Sequence, residues 1–266
     1  MIGDIVGDPG RKVLRQKLPV LTERYKPHLI IANGENVSGG RGISENAANE
    51  LFSLGIDVIT MGNHTWDNRE LAGFIDRYPR ILRPANYPPG TPGNGWLIHE
   101  LRPDLRPIAV VSLLGRSYMS MIPDCPFQAI QRVIDEINAS LPGQKQPILI
   151  VDFHGESTSE KETLGFFLAD KAAAVLGTHT HVQTADERIL AGGAAYISDV
   201  GMTGVRDSVL GVKPQIMIER FLTQMPLRFE AAQTGTLILS GVYVGIDEQS
   251  AKATEIIRFN ELDTTA

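Results

Sequence analysis

Short apolar segments rich in valine and isoleucine recur along the chain, and each ends in small or polar residues. Runs of this length predict buried β-strands, because a strand covered on both faces has no polar face to present. Six segments have this character: residues 29–33, 57–61, 108–113, 148–153, 173–176 and 194–197. We expect them to form the centre of a sheet.

Segments with a helical spacing of apolar residues lie between most of these strands. They cover residues 13–25, 45–54, 69–77, 127–141 and 161–169. Ser44 precedes one helical segment, and the pairs Ser157 with Glu160 and Ser159 with Glu162 have the spacing of a capping box. The alternation of strands and helices predicts an α/β fold with parallel pairing at its centre.

Three regions outside this alternation have signatures of their own. Residues 83–95 are rich in proline and glycine and predict an irregular, ordered loop. Residues 236–244 alternate between apolar and polar positions and predict an antiparallel strand, whereas the tail at about 260–266 is expected to fray. Because we find no internal repeat, we expect one domain over residues 1–266.

Composition narrows the classes of protein and partner. The 266 residues include 25 Lys plus Arg against 31 Asp plus Glu, a formal net charge of -6, which argues against broad binding to nucleic acid or anionic membrane. The single cysteine, Cys125, excludes a disulfide framework and a cysteine-rich zinc site. No apolar run approaches the roughly 18 residues of a membrane helix, and the first residues lack a signal pattern. We therefore expect a cytoplasmic protein.

Chemically active side chains collect at the predicted strand ends, where ligands bind in open α/β sheets. The set combines carboxylates, amides and four of the six histidines: Asp4, Glu35, Asn36, Asn63, His64, His154, His179 and His181. Taken singly, each has a structural explanation, such as a helix cap or a core histidine. Buried together without a cation, they would meet a large desolvation penalty. The combination therefore predicts a metal centre.

Spacing within this set favours two metal ions. His179 and His181 lie two residues apart, so in an extended chain their side chains would point the same way with bases ~6.5 Å apart. That separation suits neighbouring ions ~3.5–4 Å apart better than a single ion. A bridging ligand must be a carboxylate, Asp4 or Glu35, and we assign the bridge to Glu35. Nitrogen and oxygen donors without thiolate favour iron, manganese or zinc over calcium.

The same residues stand in a series that resembles the calcineurin-like metallophosphoesterase superfamily. Five longer strings are similar to its YmdB-type branch: Gly-Asn-His-Thr-Trp-Asp at 62–67, Arg-Pro-Ala-Asn-Tyr at 83–87, Thr-Ser-Glu-Lys at 158–161, Gly-Thr-His-Thr-His-Val-Gln-Thr-Ala-Asp at 177–186 and Asp-Val-Gly-Met-Thr-Gly at 199–204. The resemblance extends over nearly the whole chain, from residue 2 to about residue 259.

This resemblance implies a four-layer α/β/β/α sandwich, in which two stacked mixed sheets are flanked by helices, and a dinuclear centre at the strand ends. One ion would be held by Asp4, Glu35, Asn36 and His181. The other would be held by Glu35, Asn63, His154 and His179. In this scheme His64 is the catalytic proton donor and does not bind metal.

Three features depart from the wider superfamily. Its usual metal-binding histidine two residues after the first aspartate is replaced by Val6, and its usual bridging aspartate by Glu35; the YmdB-type branch shares both features. Relatives also carry about four more residues before the first aspartate. Either the first strand is short or the true start lies upstream of Met1.

The resemblance implies a phosphodiesterase for small substrates, chiefly 2′,3′-cyclic nucleoside monophosphates, with 3′,5′-cyclic ones as a second class. A metal-bridging hydroxide would attack in line while His64 supplies a proton to the leaving oxygen. Two alternatives stay open: a phosphomonoesterase or nuclease using the same ions, and a regulatory metal-binding protein with little turnover. No extended nucleic acid and no membrane is expected as a partner, and the sequence leaves self-association open.

Overall fold

Two stacked β-sheets form the centre of a computed structural model that describes residues 1–101, 105–142 and 145–263. The strands are β1 (Asp4–Ile5), β2 (Ile31–Asn33), β3 (Val58–Thr60), β4 (Ile81–Leu82), β5 (Trp96–His99), β6 (Ile108–Leu114), β7 (Ile148–His154), β8 (Ala174–Thr178), β9 (Arg188–Ile189), β10 (Ala195–Ile197), β11 (Met202–Val205), β12 (Leu237–Asp247) and β13 (Lys252–Asp263). The helices are α1 (Gly7–Tyr25), α2 (Glu45–Ser53), α3 (Leu71–Phe74), α4 (Pro126–Ser140), α5 (Thr158–Phe167) and α6 (Pro214–Thr223).

The first sheet is mixed and has two parts. Strands β2, β3 and β4 run parallel, and β1 pairs with β11 in parallel before the antiparallel strands β12 and β13. Ile2 joins the two parts, because it bridges Ala32 on one side and Gly241 on the other. The segment at residues 2–5 therefore lies in the middle of this sheet.

The second sheet has the strand order β5-β6-β7-β8-β10-β9. Its four central strands are parallel, and both edge strands are antiparallel to their neighbours. Every residue of β6 and β7 is buried. Burial on both faces explains why these strands were recognisable as continuous apolar runs.

Three clusters of buried side chains separate four layers. One cluster joins α1, α2 and α3 to the first sheet, and another joins α4 and α5 to the second sheet. The third lies between the sheets, where Ile31 and Val58 of the first meet Val110 and Ile150 of the second. The order of helices, sheet, sheet and helices confirms the layered α/β class that the resemblance implied.

All six strand segments and all five helical segments occur as predicted, with shifted ends. Ser44 accepts a hydrogen bond from the Ala47 backbone at 3.2 Å, and Ser157 accepts one from the Glu160 backbone at 3.4 Å, so both cap their helices. The second capping assignment was wrong, since Ser159 lies inside α5.

The end of the chain differs from the expectation of fraying. Strand β13 continues to Asp263, which pairs with Leu237 of β12, so residues 260–263 are held in a long antiparallel ladder. Its exposed positions made this edge strand resemble a polar tail. Residues 264–266 lie outside the described residues.

Helix α6 was not predicted, and none of its residues is buried. Its apolar side chains do not face the core, so the usual periodic contrast between a buried and a solvated face is missing. Among the described residues, none of the helices combines the length and apolar character needed to cross a lipid bilayer.

Candidate metal and catalytic centre

The two sheets present their chemically active residues at one shared edge. In the first sheet, Asp4 lies in β1, and the loops after β2 and β3 supply Glu35, Asn36, Asn63 and His64. In the second, His154 ends β7, and the loop after β8 supplies His179 and His181. Contacts between these side chains cross from one sheet to the other, so the structure brings the eight predicted residues together.

Glu35, His154 and His179 form the tightest group. One side-chain donor atom from each lies within 4.8 Å of the others. Around His154 Nε2, Glu35 Oε1, Asn63 Oδ1 and His179 Nδ1 all lie at 3.0 Å. These four residues are the ones that the resemblance assigned to one ion.

A second group lies on the other side of Glu35. His181 Nε2 lies 3.7 Å from Asp4 Oδ1 and 3.3 Å from Asn36 Nδ2. Asn36 Nδ2 is in turn 3.3 Å from Glu35 Oε1, so Glu35 contacts both groups. The bridging role assigned to Glu35 from the sequence stays a prediction.

The donor set fits metal cations. Asp4 Oδ1 is buried and has no hydrogen-bond partner among the described residues, although a buried carboxylate oxygen needs one. The facing nitrogens of His154 and His179 would repel each other through their lone pairs unless a proton or a cation lay between them. Oxygen and imidazole donors without sulfur suit first-row divalent ions.

Burial and close charges shift the proton affinities in this cluster. Burial raises the pKa of Asp4 to about 6, against the opposing influence of His181 and His154. Burial also opposes ionisation of Glu35, but the contacts with His154 and His64 outweigh it and lower its pKa to about 2. Burial lowers the pKa of His154, yet Glu35 and Asp4 raise it to about 9 overall. A positive charge is therefore favoured where metal would bind.

The histidine loop after β8 does not have the extended backbone that the spacing argument assumed. His179 has a φ of 107° and His181 a φ of 64°, both in the left-handed region. Asp199 Oδ2 holds the residue between them by accepting hydrogen bonds from the Thr180 backbone N–H and hydroxyl, each at 2.8 Å. The two rings consequently reach the two different donor groups described above.

Each of the three histidines at the centre also has a partner for its outward ring nitrogen. His154 Nδ1 lies 2.9 Å from Thr178 Oγ1, His179 Nε2 lies 3.2 Å from Glu156 Oε2, and His181 Nδ1 lies 3.0 Å from the Leu210 carbonyl oxygen. Such outer contacts orient metal-binding imidazoles. Sequence reasoning missed all three partners. The only signal was the position of Glu156 two residues after His154.

His64 lies beside the centre, and its side chain is 27% exposed. Its backbone N–H donates to Glu35 Oε2 at 2.9 Å, and its Nδ1 lies 2.8 Å from Asp67 Oδ2. Arg41 Nη1 approaches the same Asp67 oxygen at 3.7 Å. These contacts hold the ring through Nδ1. The role of Asp67 was not predicted, although a carboxylate three residues after His64 was a readable signal.

Gly62 allows the loop after β3 to approach the centre closely. A Cβ atom at this position would lie 2.3 Å from His154 Cδ2 and 2.5 Å from Glu35 Oε2. No side chain larger than hydrogen fits there without displacing a donor. The glycine before Asn63 and His64 is thus explained by close packing.

Comparison with known proteins agrees with this geometry. Residues 1–259 match the family described as YmdB-like protein. The chain is 47% identical over 257 residues to a 2′,3′-cyclic-nucleotide 2′-phosphodiesterase from Bacillus subtilis (strain 168), covering 97% of this chain and 94% of the relative.

Two solved structures have the same fold. A novel phosphatase from Mycoplasma pneumoniae matches with a TM-score of 0.90 and 30% identity, over 99% of this chain and 92% of that one. A hypothetical protein from Thermus thermophilus matches with a TM-score of 0.89 and 35% identity, over 98% of both chains.

Proposed function

This chain belongs to the YmdB-like protein family, and from that premise we propose that it hydrolyses 2′,3′-cyclic nucleoside monophosphates at a centre of two metal ions. Its class is that of a hydrolytic phosphoesterase, in agreement with relatives named phosphodiesterase and phosphatase. The observation that supports the finer proposal most is the convergence of Glu35, His154 and His179 in a chain with 47% identity to a cyclic-nucleotide phosphodiesterase. 3′,5′-Cyclic nucleotides are the second substrate class.

The proposed ligands divide into two sets that share Glu35. One set is Asp4, Glu35, Asn36 and His181, and the other is Glu35, Asn63, His154 and His179. Iron and manganese are the proposed metals, with zinc as an alternative. When bound, the ions would polarise the phosphoryl oxygens and activate water near neutral pH.

His64 is the proposed proton donor to the leaving oxygen. The Asp67 carboxylate accepts a hydrogen bond from Nδ1–H and so orients the ring. Nε2–H is then directed to the substrate side. Because Glu35 Oε2 binds the His64 backbone N–H, the same carboxylate that serves the metals also positions the acid.

A phosphomonoesterase is the second candidate function. The observation in its favour is the fold shared with the Mycoplasma pneumoniae protein described as a phosphatase. A monoester carries one more negative charge than a cyclic diester. Both substrates present phosphoryl oxygens that the same metals could bind. The net charge of -6 speaks against long nucleic acids in both cases.

A substrate panel with metal analysis tests the proposal. The purified protein is loaded with Mn²⁺ or Fe²⁺ and assayed with 2′,3′-cyclic AMP, 3′,5′-cyclic AMP, 3′-AMP and a chromogenic diester. We expect about two ions per chain and fastest turnover of 2′,3′-cyclic AMP, with His154→Ala as the metal-deficient control. Turnover of 3′-AMP alone would establish the phosphomonoesterase instead. A fully loaded protein inactive on every ester would contradict both candidates and favour a regulatory metal-binding protein.

A further inference from the structure

A buried threonine hydroxyl connects a buried carboxylate to one of the central histidines. Asp152 and His154 lie on β7, and Thr178 is the last residue of the neighbouring parallel strand β8. Thr178 Oγ1 lies 2.7 Å from Asp152 Oδ1 and 2.9 Å from His154 Nδ1. All three residues are almost completely buried, so water does not compete for these contacts.

The hydroxyl of Thr178 has a single hydrogen, and this determines which group donates in each of the two hydrogen bonds. Asp152 is surrounded by the hydrogen-bond donors Thr178, Thr60 and Asn33. A carboxylate only accepts hydrogen bonds, so the single hydroxyl hydrogen of Thr178 points to Asp152. The hydroxyl oxygen is then left to accept from His154 Nδ1 at 2.9 Å, a shorter contact than the 3.4 Å between Nδ1 and the Asn33 amide nitrogen, and this places a hydrogen on Nδ1.

This arrangement determines which nitrogen of His154 is presented to the centre. With a hydrogen held on Nδ1, Nε2 is the nitrogen that gives up its proton and binds when metal arrives. Nε2 is the atom that lies 3.0 Å from both Glu35 Oε1 and Asn63 Oδ1. The ring therefore points its ligand atom at the metal site before any metal arrives.

We propose that Thr178, supported by Asp152, is a positioning residue that holds His154 in the Nδ1–H form, with Nε2 as its metal-binding atom. The inference rests on the metal centre of the proposed function and adds a residue pair that acts on that centre without touching metal or substrate. A carboxylate often contacts a metal-binding imidazole directly, whereas here a hydroxyl lies between the two. Loss of an outer partner of this kind typically weakens metal binding by about 10–100-fold.

Thr60 provides a matched control. It is also a fully buried threonine, and its hydroxyl donates to the other oxygen of Asp152. Thr60→Val therefore removes a hydrogen bond from the same carboxylate and leaves the contact between Thr178 and His154 in place. A role of Thr178 in packing alone would make the two valine variants behave alike.

The experiment measures Zn²⁺ affinity by competition with a chromogenic chelator, using wild type, Thr178→Val, Thr178→Ser and Thr60→Val. We expect about 10–100-fold weaker binding for Thr178→Val and affinities near wild type for Thr178→Ser and Thr60→Val. Equal affinities of the two valine variants would overturn the proposal. Circular dichroism of the metal-free variants verifies folding.

A spectroscopic measurement tests the same proposal on the unaltered protein. In ¹⁵N-labelled, zinc-loaded wild type, long-range ¹H–¹⁵N correlation spectra should show His154 with a protonated Nδ1 and a metal-bound Nε2. The reverse assignment would overturn the proposal even if Thr178→Val did not fold. Both measurements use Zn²⁺ alone, so a failure of the proposed phosphodiesterase activity would leave their result intact and would be recognised separately.

Discussion

At the scale of single residues, Glu35 contacts both donor groups and the proposed proton donor. One of its oxygens lies between the two donor groups, and the other accepts the backbone N–H of His64. Replacing Glu35 would disturb both the metals and the acid, so its variants cannot separate these roles. His64 is more informative, because its ring contacts Asp67 and not the central donors.

His64→Ala should separate proton donation from metal binding. We expect two ions to remain bound, since the ring is not a proposed ligand, while turnover of 2′,3′-cyclic AMP falls by about 10²–10⁴-fold. A diester with a nitrophenolate leaving group needs less protonation and should lose much less activity. The measurements are metal analysis and steady-state kinetics on both substrates, with His99→Ala on β5 as a control. Equal losses on both diesters would argue against the acid role.

Gly62→Ala should damage the centre through one methyl group. The new Cβ would collide with the His154 ring and with Glu35, so we expect a lower metal content and a lower melting temperature. Gly73→Ala is the matched control, because a Cβ there meets nothing within 4 Å and lies in a short helix. The control should be neutral or more stable by up to about 1 kcal/mol. Similar metal contents in the two variants would contradict this account of Gly62.

At the scale of secondary-structure elements, a buried ion pair joins α5 to the loops at the ends of the second sheet. Lys161 Nζ on α5 lies 3.0 Å from Asp199 Oδ2, and both side chains are 1% exposed. The same carboxylate holds Thr180, and its other oxygen accepts from the Gly201 backbone. The helix and the histidine loop are thus fixed to one charged group.

Lys161→Met should reveal the cost of leaving that carboxylate without its cation. We expect the free energy of unfolding to fall by about 3–5 kcal/mol, because an unpaired buried charge remains. Lys213→Met removes a half-exposed partner of Glu230 and should change the free energy of unfolding by about 0–1 kcal/mol. Urea denaturation of the metal-free proteins measures both. Adding Asp199→Asn to Lys161→Met should restore part of the loss; a further drop would show that Asp199 is stabilised without Lys161.

The elements show where sequence patterns were sufficient. Buried strands such as β6 and β7 could be predicted, because burial on both faces leaves an uninterrupted apolar run. The start of α1 was placed too late, since the opening Gly-Asp-Pro-Gly resembles a turn although the helix begins at Gly7. Strand β13 and helix α6 were not predicted from the sequence, because their apolar residues are not segregated onto one buried face.

The convergence of the donor residues could be predicted from the sequence, but the groups that hold those residues in place could not. Strand-end positions identified the donor residues, because parallel strands deliver their carboxyl ends to one edge. The pairing of neighbouring strands determines which groups contact and support these donor residues. Thr178 reaches Asp152 through the register of β7 with β8. The partner of His181 is the backbone carbonyl of Leu210, and since every residue type has such a carbonyl, the sequence gives no signal for it.

At the scale of the whole molecule, the centre lies across the junction of the two sheets. Asp4, Glu35 and Asn63 come from the first sheet, and His154, His179 and His181 from the second. Ligands that bind only the folded state stabilise it in proportion to the logarithm of their concentration over Kd. Metal shared between the sheets should therefore resist their separation.

Metal removal should lower the thermal stability of the protein. At a free metal concentration about 1,000 times Kd we expect about 4 kcal/mol of stabilisation, or roughly 8 °C in Tm for a chain of this size. Calorimetry with and without chelator measures the shift. His64→Ala should keep the metal-dependent shift and His154→Ala should lose it. An unchanged Tm despite two bound ions would show that the centre does not join the sheets energetically.

The long separation in sequence between β1 and its partners has a consequence for synthesis. This two-residue strand pairs with β11, and Ile2 beside it bridges Gly241 in β12. Asp4 leaves the ribosome almost two hundred residues before its neighbours in β11. The nascent chain must hold β1 without these partners throughout that interval. Cofactor acquisition is thus expected only after β11 and β12 have been synthesised.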